Sequence, residues 1–255
     1  MKKALIAVLI VLAVIYINKC FEKQSTTKTD RSAGGSAKDV SPLKQEVYSF
    51  KVEGFNKNKK VQWNLEGESA NVIHDKINIH NLRAIYYGDE AVFTVLADSA
   101  VYDKKTQNVE LKNNIIAKSS DGGELITDYA VWNPTNEEIK TDAYVTVKRE
   151  NIICKGTGLI TRPKMKWAEF KEEVEVDFNK ERKITCNGPF TINHEEHIAI
   201  FNNNVKVRDK ESDMFTDKLT VFLHPETNEV EKIVTEGNVK VVHRGEIEDL
   251  GNLNF

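Results

Sequence analysis

Four groups of residues have types and spacings that invite chemistry. Asp98, Asp128 and Asp217 stand at equivalent strand positions, and acids in pairs can serve a glycosidase as proton donor and base. His194-Glu-Glu-His197 has the composition of a metal site. Cys154 and Cys186 each precede a glycine of successive repeats, Gly156 and Gly188, by two residues. Trp63, Trp132 and Trp167 are candidate platforms for sugars.

Each group has a plainer reading. Zinc proteases need histidines four apart on a helix, with glutamate after the first; here the spacing is three and the setting is a turn, which favours a solvated loop. A repeated acid also arises from a repeated fold, where it makes structural hydrogen bonds, and no cleft signature accompanies these aspartates. Tryptophans are more often core or rim aromatics than sugar platforms. Alternation points both thiols inward, so stacked repeats either join Cys154 to Cys186 or leave two buried thiols, and a register change of one residue decides which. No glycine loop of the GxxxxGK[ST] kind is present. The expectation is a protein that is not an enzyme, with no catalytic residue, metal or cofactor.

The elements that would position these residues follow from the rest of the chain. Its 255 residues carry 36 Lys and Arg against 39 Asp and Glu, a net charge of −3, which leaves no positive excess for nucleic acid. The apolar run Ala4 to Ile17 lies between Lys2-Lys3 and Asn18-Lys19. Tyr16, Ile17, Asn18 and Lys19 offer no small-x-small cleavage site, so residues 1–21 read as an uncleaved single-pass anchor with its amino terminus in the cytoplasm. Cys20 lacks the small preceding residue that acylation requires. Residues 22–41 are polar and small, a tether.

From Pro42 onward the period is two, cut by polar turns, so the body is all β. Turn clusters begin at His74, Asp103, Asn133, Arg162, Asn193 and His224, spaced 29, 30, 29, 31 and 31 residues apart. Each follows a related strand (GESANV, ADSAVY, TDYAVW, GTGLIT, NGPFTI, TDKLTV) and precedes a second with a polar kink, as in LKNNIIAK and FNNNVKV. A unit of strand, turn and strand cannot hide its own apolar face, so units must stack around a shared interior. Alternation assigns to that lining Ala100, Tyr102, Ile115, Ala117, Ala130, Trp132, Val145, Val147, Val174, Val176, Val205, Val207, Leu219, Val221, Val239 and Val241, with Lys148, Glu175 and Lys206 outside. The predicted architecture is an elongated antiparallel sheath with an apolar lumen. Its two unpaired ends invite strand addition.

The segments Leu96 to Asp103, Gly123 to Asp128, Ile139 to Val145 and Gly156 to Leu159, in that order, resemble the LptC family of lipopolysaccharide export proteins. Phe201 to Val207 and Gly237 to Val241 look like the OstA domain of the LptA bridge. The resemblance implies a β-jellyroll or β-taco, LptC-like over 42–180 and LptA/OstA-like over 181–250. It implies an inner-membrane anchor with the carboxy-terminal part in the periplasm. It also implies a carrier that accepts lipopolysaccharide from an inner-membrane ABC transporter. The lipid would pass to an LptA-like bridge or an outer-membrane translocon through edge-strand pairing. The alternative from another class is a β-repeat scaffold with a closed dry core that binds no lipid and only joins envelope proteins.

Overall fold

A computed structural model gives the fold of residues 45–55, 59–87, 92–120, 122–133, 135–136, 138–149, 151–162, 167–178, 180–193, 195–225 and 230–244. The anchor and tether read from residues 1–41, with Cys20, lie outside this range. Among the described residues there is no helix, so none there is long and apolar enough to cross a membrane.

The chain forms β1 (Gln45–Phe55), β2 (Val61–Ile73), β3 (Lys76–Tyr87), β4 (Val92–Asp103), β5 (Val109–Ser119), β6 (Glu124–Asn133), β7 (Glu138–Arg149) and β8 (Ile152–Arg162). These are followed by β9 (Trp167–Phe178), β10 (Arg182–Cys186), β11 (Phe190–Asn193), β12 (Ile198–Arg208), β13 (Ser212–Leu223), β14 (Val230–Glu236) and β15 (Lys240–His243). All belong to one antiparallel sheet whose order follows the sequence. The turn chemistry is local and repeated. Asp103 Oδ1 accepts from the amides of Lys105 and Thr106, Asn133 Oδ1 from Thr135 and Asn136, and Asn193 Oδ1 from Glu195 and Glu196.

The strands are interrupted near their middles, and the interruptions line up across the sheet. Asn81, Asn113, Asn114, Glu173, Asn203 and Asn204 have positive φ there, a region that asparagine tolerates better than most residues. The ladder shifts at the same level in β4, β5, β6, β7, β8 and β12. β10 and β11 are one such strand broken in two: β10 pairs with the far half of β9 and β11 with the near half. At the break Gly188 has φ +96°, and a Cβ there would stand 2.1 Å from the Lys171 carbonyl oxygen.

A flat sheet covers neither of its own faces, yet Leu65, Ile77 and Val145 are 0% exposed. No other described element can cover them, so the sheet folds over along this line of corners and its two halves face each other. The polar kink in the sequence is the crease.

The buried side chains form two clusters. The first draws on β2 to β6 and ends at Trp132; the second runs from Val145 on β7 to Val221 on β13. Between them, at the corner, the β6–β7 ladder has its widest gap, from Thr127↔Val145 to Val131↔Lys140. The second cluster crosses residues 180 and 181 without a break in the sheet.

Candidate functional site

Register sorts the inward side chains into four cross-strand rows. One rim row runs Val72, Ile77, Tyr102, Val109, Trp132, Ile139, Thr161, Ala168, Ile192, Ala199, Val221 and Ile233. Beside the crease lies a second row, from Ala70, Ile79, Ala100, Leu111 and Ala130, interrupted at β6–β7, and resuming through Leu159, Phe170, Phe190, Phe201 and Leu219. Across the crease stand Ile115, Thr127 and Val145, then Val174 with Cys186 and Val205 with Thr216. The opposite rim row is unbroken: Val52, Leu65, Ala84, Val95, Ala117, Leu125, Val147, Cys154, Val176, Ile184, Val207, Met214 and Val241.

Fifteen of the sixteen lining residues read from the sequence fall in these rows; Val239 does not. Those beside the crease are mostly sealed: Val145 at 0%, Val174, Val205 and Leu219 at 1%, Ala100 and Ile115 at 2%. Along the rims burial is uneven: Leu65 and Ile77 are at 0% and Val109 at 1%, whereas Ala117, Val147 and Val207 are half-buried. Val239 and Val241 are about half exposed, at 49% and 51%. Val239 precedes β15 as coil, and Val241 lies on β15, beyond which no described strand adds cover. On the outer face Lys148 pairs with Glu124, Glu175 with Lys183 and Lys206 with Asp213. Such exposed pairs are worth about 0–1 kcal/mol each. Their main effect is to keep that face wet.

The other chemical candidates resolve into structure. Asp98 accepts from Asn114 Nδ2 at 2.8 Å, Asp128 from the Asn114 amide at 3.4 Å, and Asp217 from the amide and Nδ2 of Asn238 at 3.0 and 2.9 Å. Each ties the crease to a neighbouring strand or bend. Cys154 and Cys186 are free, buried thiols. Burial pushes Cys154 up to about 12, with Cys186 adding to the effect. Burial raises Cys186 as well, against backbone amides at Gly188 and Asn202 that favour its thiolate. Trp63 packs over Gly54 and Trp132 lies in the first core. The Arg162 guanidinium stands 5.3 Å from the Trp167 ring centre. His194 lies outside the described residues, among which no group of His, Cys, Asp and Glu could hold a metal ion. A hollow of about 360 Å³ at the crease is lined by Glu173, Glu175, Thr185, Asn187, Asn204 and Lys206, with Val174, Cys186 and Phe215. Polar and apolar side chains share its lining.

Two features escaped sequence reasoning. Thr127 and Thr216 are buried, and their hydroxyls donate to the carbonyls of Tyr144 and Glu236 at 3.0 and 2.9 Å. The recurring Thr-Asp pair was the available signal: threonine bonds inward while aspartate bonds outward. The stacked file Phe170, Phe190 and Phe201, with centroids 6.1 and 4.3 Å apart, was visible only as a phenylalanine in three successive strand halves.

Among the described residues the arrangement has an apolar interior, a wet exterior and end strands with a single partner each, β1 on β2 and β14 and β15 on β13. No curated protein matches the chain. The family described as lipopolysaccharide-assembly, LptC-related, matches residues 5–179, more than half of the sequence. With that match added to an all-β sheet of repeated strand pairs, the chain belongs to the LptC-related family and is a component of lipopolysaccharide transport.

Proposed function

We propose that the folded sheet is a β-jellyroll conduit that holds the acyl chains of lipopolysaccharide between its two halves while sugars and phosphates stay in water. In this reading residues 1–21 anchor it in the inner membrane and 22–41 hold the body in the periplasm. The body receives lipid from the ABC transporter. It passes the lipid onward through an edge strand to an LptA-like bridge or the translocon. The LptC-like block 42–180 and the OstA-like block 181–250 act as one track.

The observation that carries the proposal is the unbroken rim row from Val52 to Val241, apolar at every position and continued beyond the family match at residue 179. Each methylene removed from water is worth about 0.8 kcal/mol, so one acyl chain left exposed costs on the order of 10 kcal/mol. A lining with similar side chains at each strand offers a sliding chain a series of similar sites. Entry requires the rims to part, since the crease side is sealed.

That sealing supports a second reading, the scaffold with a closed dry core. Photo-reactive residues placed at Val145, Val205 and Lys148 of the full chain in cells separate the two. The conduit gives crosslinks to acylated glycolipid at Val145 and Val205 and few at Lys148. Crosslinks at Lys148 alone, or none, with no glycolipid in the purified protein, would leave the scaffold.

A further inference from the structure

Three buried side-chain atoms have no hydrogen-bond partner among the described residues: Asn64 Oδ1, Trp132 Nε1 and His197 Nδ1. Asn64 stands between the inward Trp63 and Leu65, hence on the other face, and its amide nitrogen reaches the Tyr87 hydroxyl at 3.3 Å. His197 belongs to the turn before β12. Trp132 alone of the three lies on an inward row.

It is 4% exposed, and its cross-strand neighbours on that row are Val109 and Ile139, which have no side-chain acceptor. An indole N–H is a donor only, and burying one unpaired forfeits its hydration with nothing in return. The position is also singular. Trp132 stands one pair beyond the widest gap in the ladder, where the first core ends, and it sits on a rim row. A lipid whose chains reach toward the crease and whose sugars remain outside has its acyl linkages at the rim.

We propose that Trp132 Nε1 is a docking donor for the carbonyl oxygen of an ester- or amide-linked acyl chain. This inference rests on the conduit reading and adds to it a fixed point where the carbonyl is held as the chain is taken up. The bond formed is N–H···O=C, with no covalent step.

The test uses the full chain in nanodiscs of a diether phospholipid, which brings no acyl carbonyl of its own. Sucrose monolaurate, an ester, is compared with lauryl maltoside, an ether with the same chain. The indole N–H resonances are followed, with Trp132→Phe identifying the one at issue. The expected result is that both ligands enter, that only the ester moves the Trp132 resonance downfield and slows its exchange, and that Trp132→Phe weakens the ester by about tenfold relative to the ether. Replacing Trp132 by benzothienylalanine keeps the shape and removes the N–H. It should weaken ester binding equally while the thermal stability of the empty protein holds or rises, an outcome that a merely structural tryptophan does not give. Equal affinities with an unmoved resonance overturn the docking donor and leave the conduit standing. If neither ligand enters, both fall.

Discussion

In the first core the inward positions of β2 and β3 hold Leu65, Ile77, Ile79 and Leu82, whereas β9, β11 and β12 put the phenylalanine file on one side of the crease and Val174 and Val205 on the other. The same folded strand pair is thus filled in two ways. The first core spreads its burial over aliphatics beside the crease and rings toward the strand ends, Trp63, Tyr86, Tyr102 and Trp132. The second concentrates it in stacked rings whose contact adds about 0.5–1.5 kcal/mol per pair beyond area. Both rim rows run through both regions, while the crease row is cut at β6–β7. The lesson is that the sheet is continuous in hydrogen bonds and divided in packing, so the two cores are coupled at the rims and can loosen separately at the crease.

The strongest way to break this comparison is to empty one core at a time. Phe190→Ala and Leu65→Ala should each cost about 3–5 kcal/mol in urea unfolding. Native-state hydrogen exchange should lose protection mainly in β8 to β13 for the first and in β2 to β5 for the second. Equal loss everywhere would make the two clusters one cooperative unit.

A thiol sharpens the same point. An ordinary cysteine gains thiolate as the pH climbs toward its pKa; burial holds Cys154 up to about 12, so its thiolate appears far later. Near pH 8 its alkylation should therefore be slower by about a thousandfold until the second core opens. Mass spectrometry of the labelled peptide should show Phe190→Ala accelerating the reaction and Leu65→Ala leaving it unchanged.

Smaller effects follow at the crease. Gly188→Ala forces a side chain into a φ of +96° against the Lys171 carbonyl, which should cost about 2–3 kcal/mol, confined to the second core. Thr127→Val removes one buried hydrogen bond, about 1–2 kcal/mol. Because Thr127 sits at the junction, exchange should quicken on both sides of it; Thr216→Val, with the equivalent bond to Glu236, should affect the second core alone.

How much of this was legible depends on the range of the interactions. The turns at Asp103, Asn133 and Asn193 are made by side chains bonding amides two and three residues on, so the sequence displays them directly. Parity within each half-strand also held register, because no crease intervened. Across the crease parity fails: inward positions step from Ala97 to Ala100 on β4 and from Thr127 to Ala130 on β6, but from Leu111 to Ile115 on β5. That geometry depends on backbone angles that no alternation encodes. Val241 marks another boundary, since alternation says which face a side chain takes and not whether anything covers it.

The unbroken rim row has a mechanical corollary. From Val52 to Val241 it crosses twelve strand-to-strand steps. At about 4.8 Å a step this is a path of roughly 58 Å, close to twice the thickness of a bilayer's hydrocarbon layer. Neighbouring strands also turn by about 20–25° each, so over that distance the row winds through most of a revolution. A passenger that keeps to it has to rotate as it advances, like a nut on a thread, and would leave the far end facing another way than it entered.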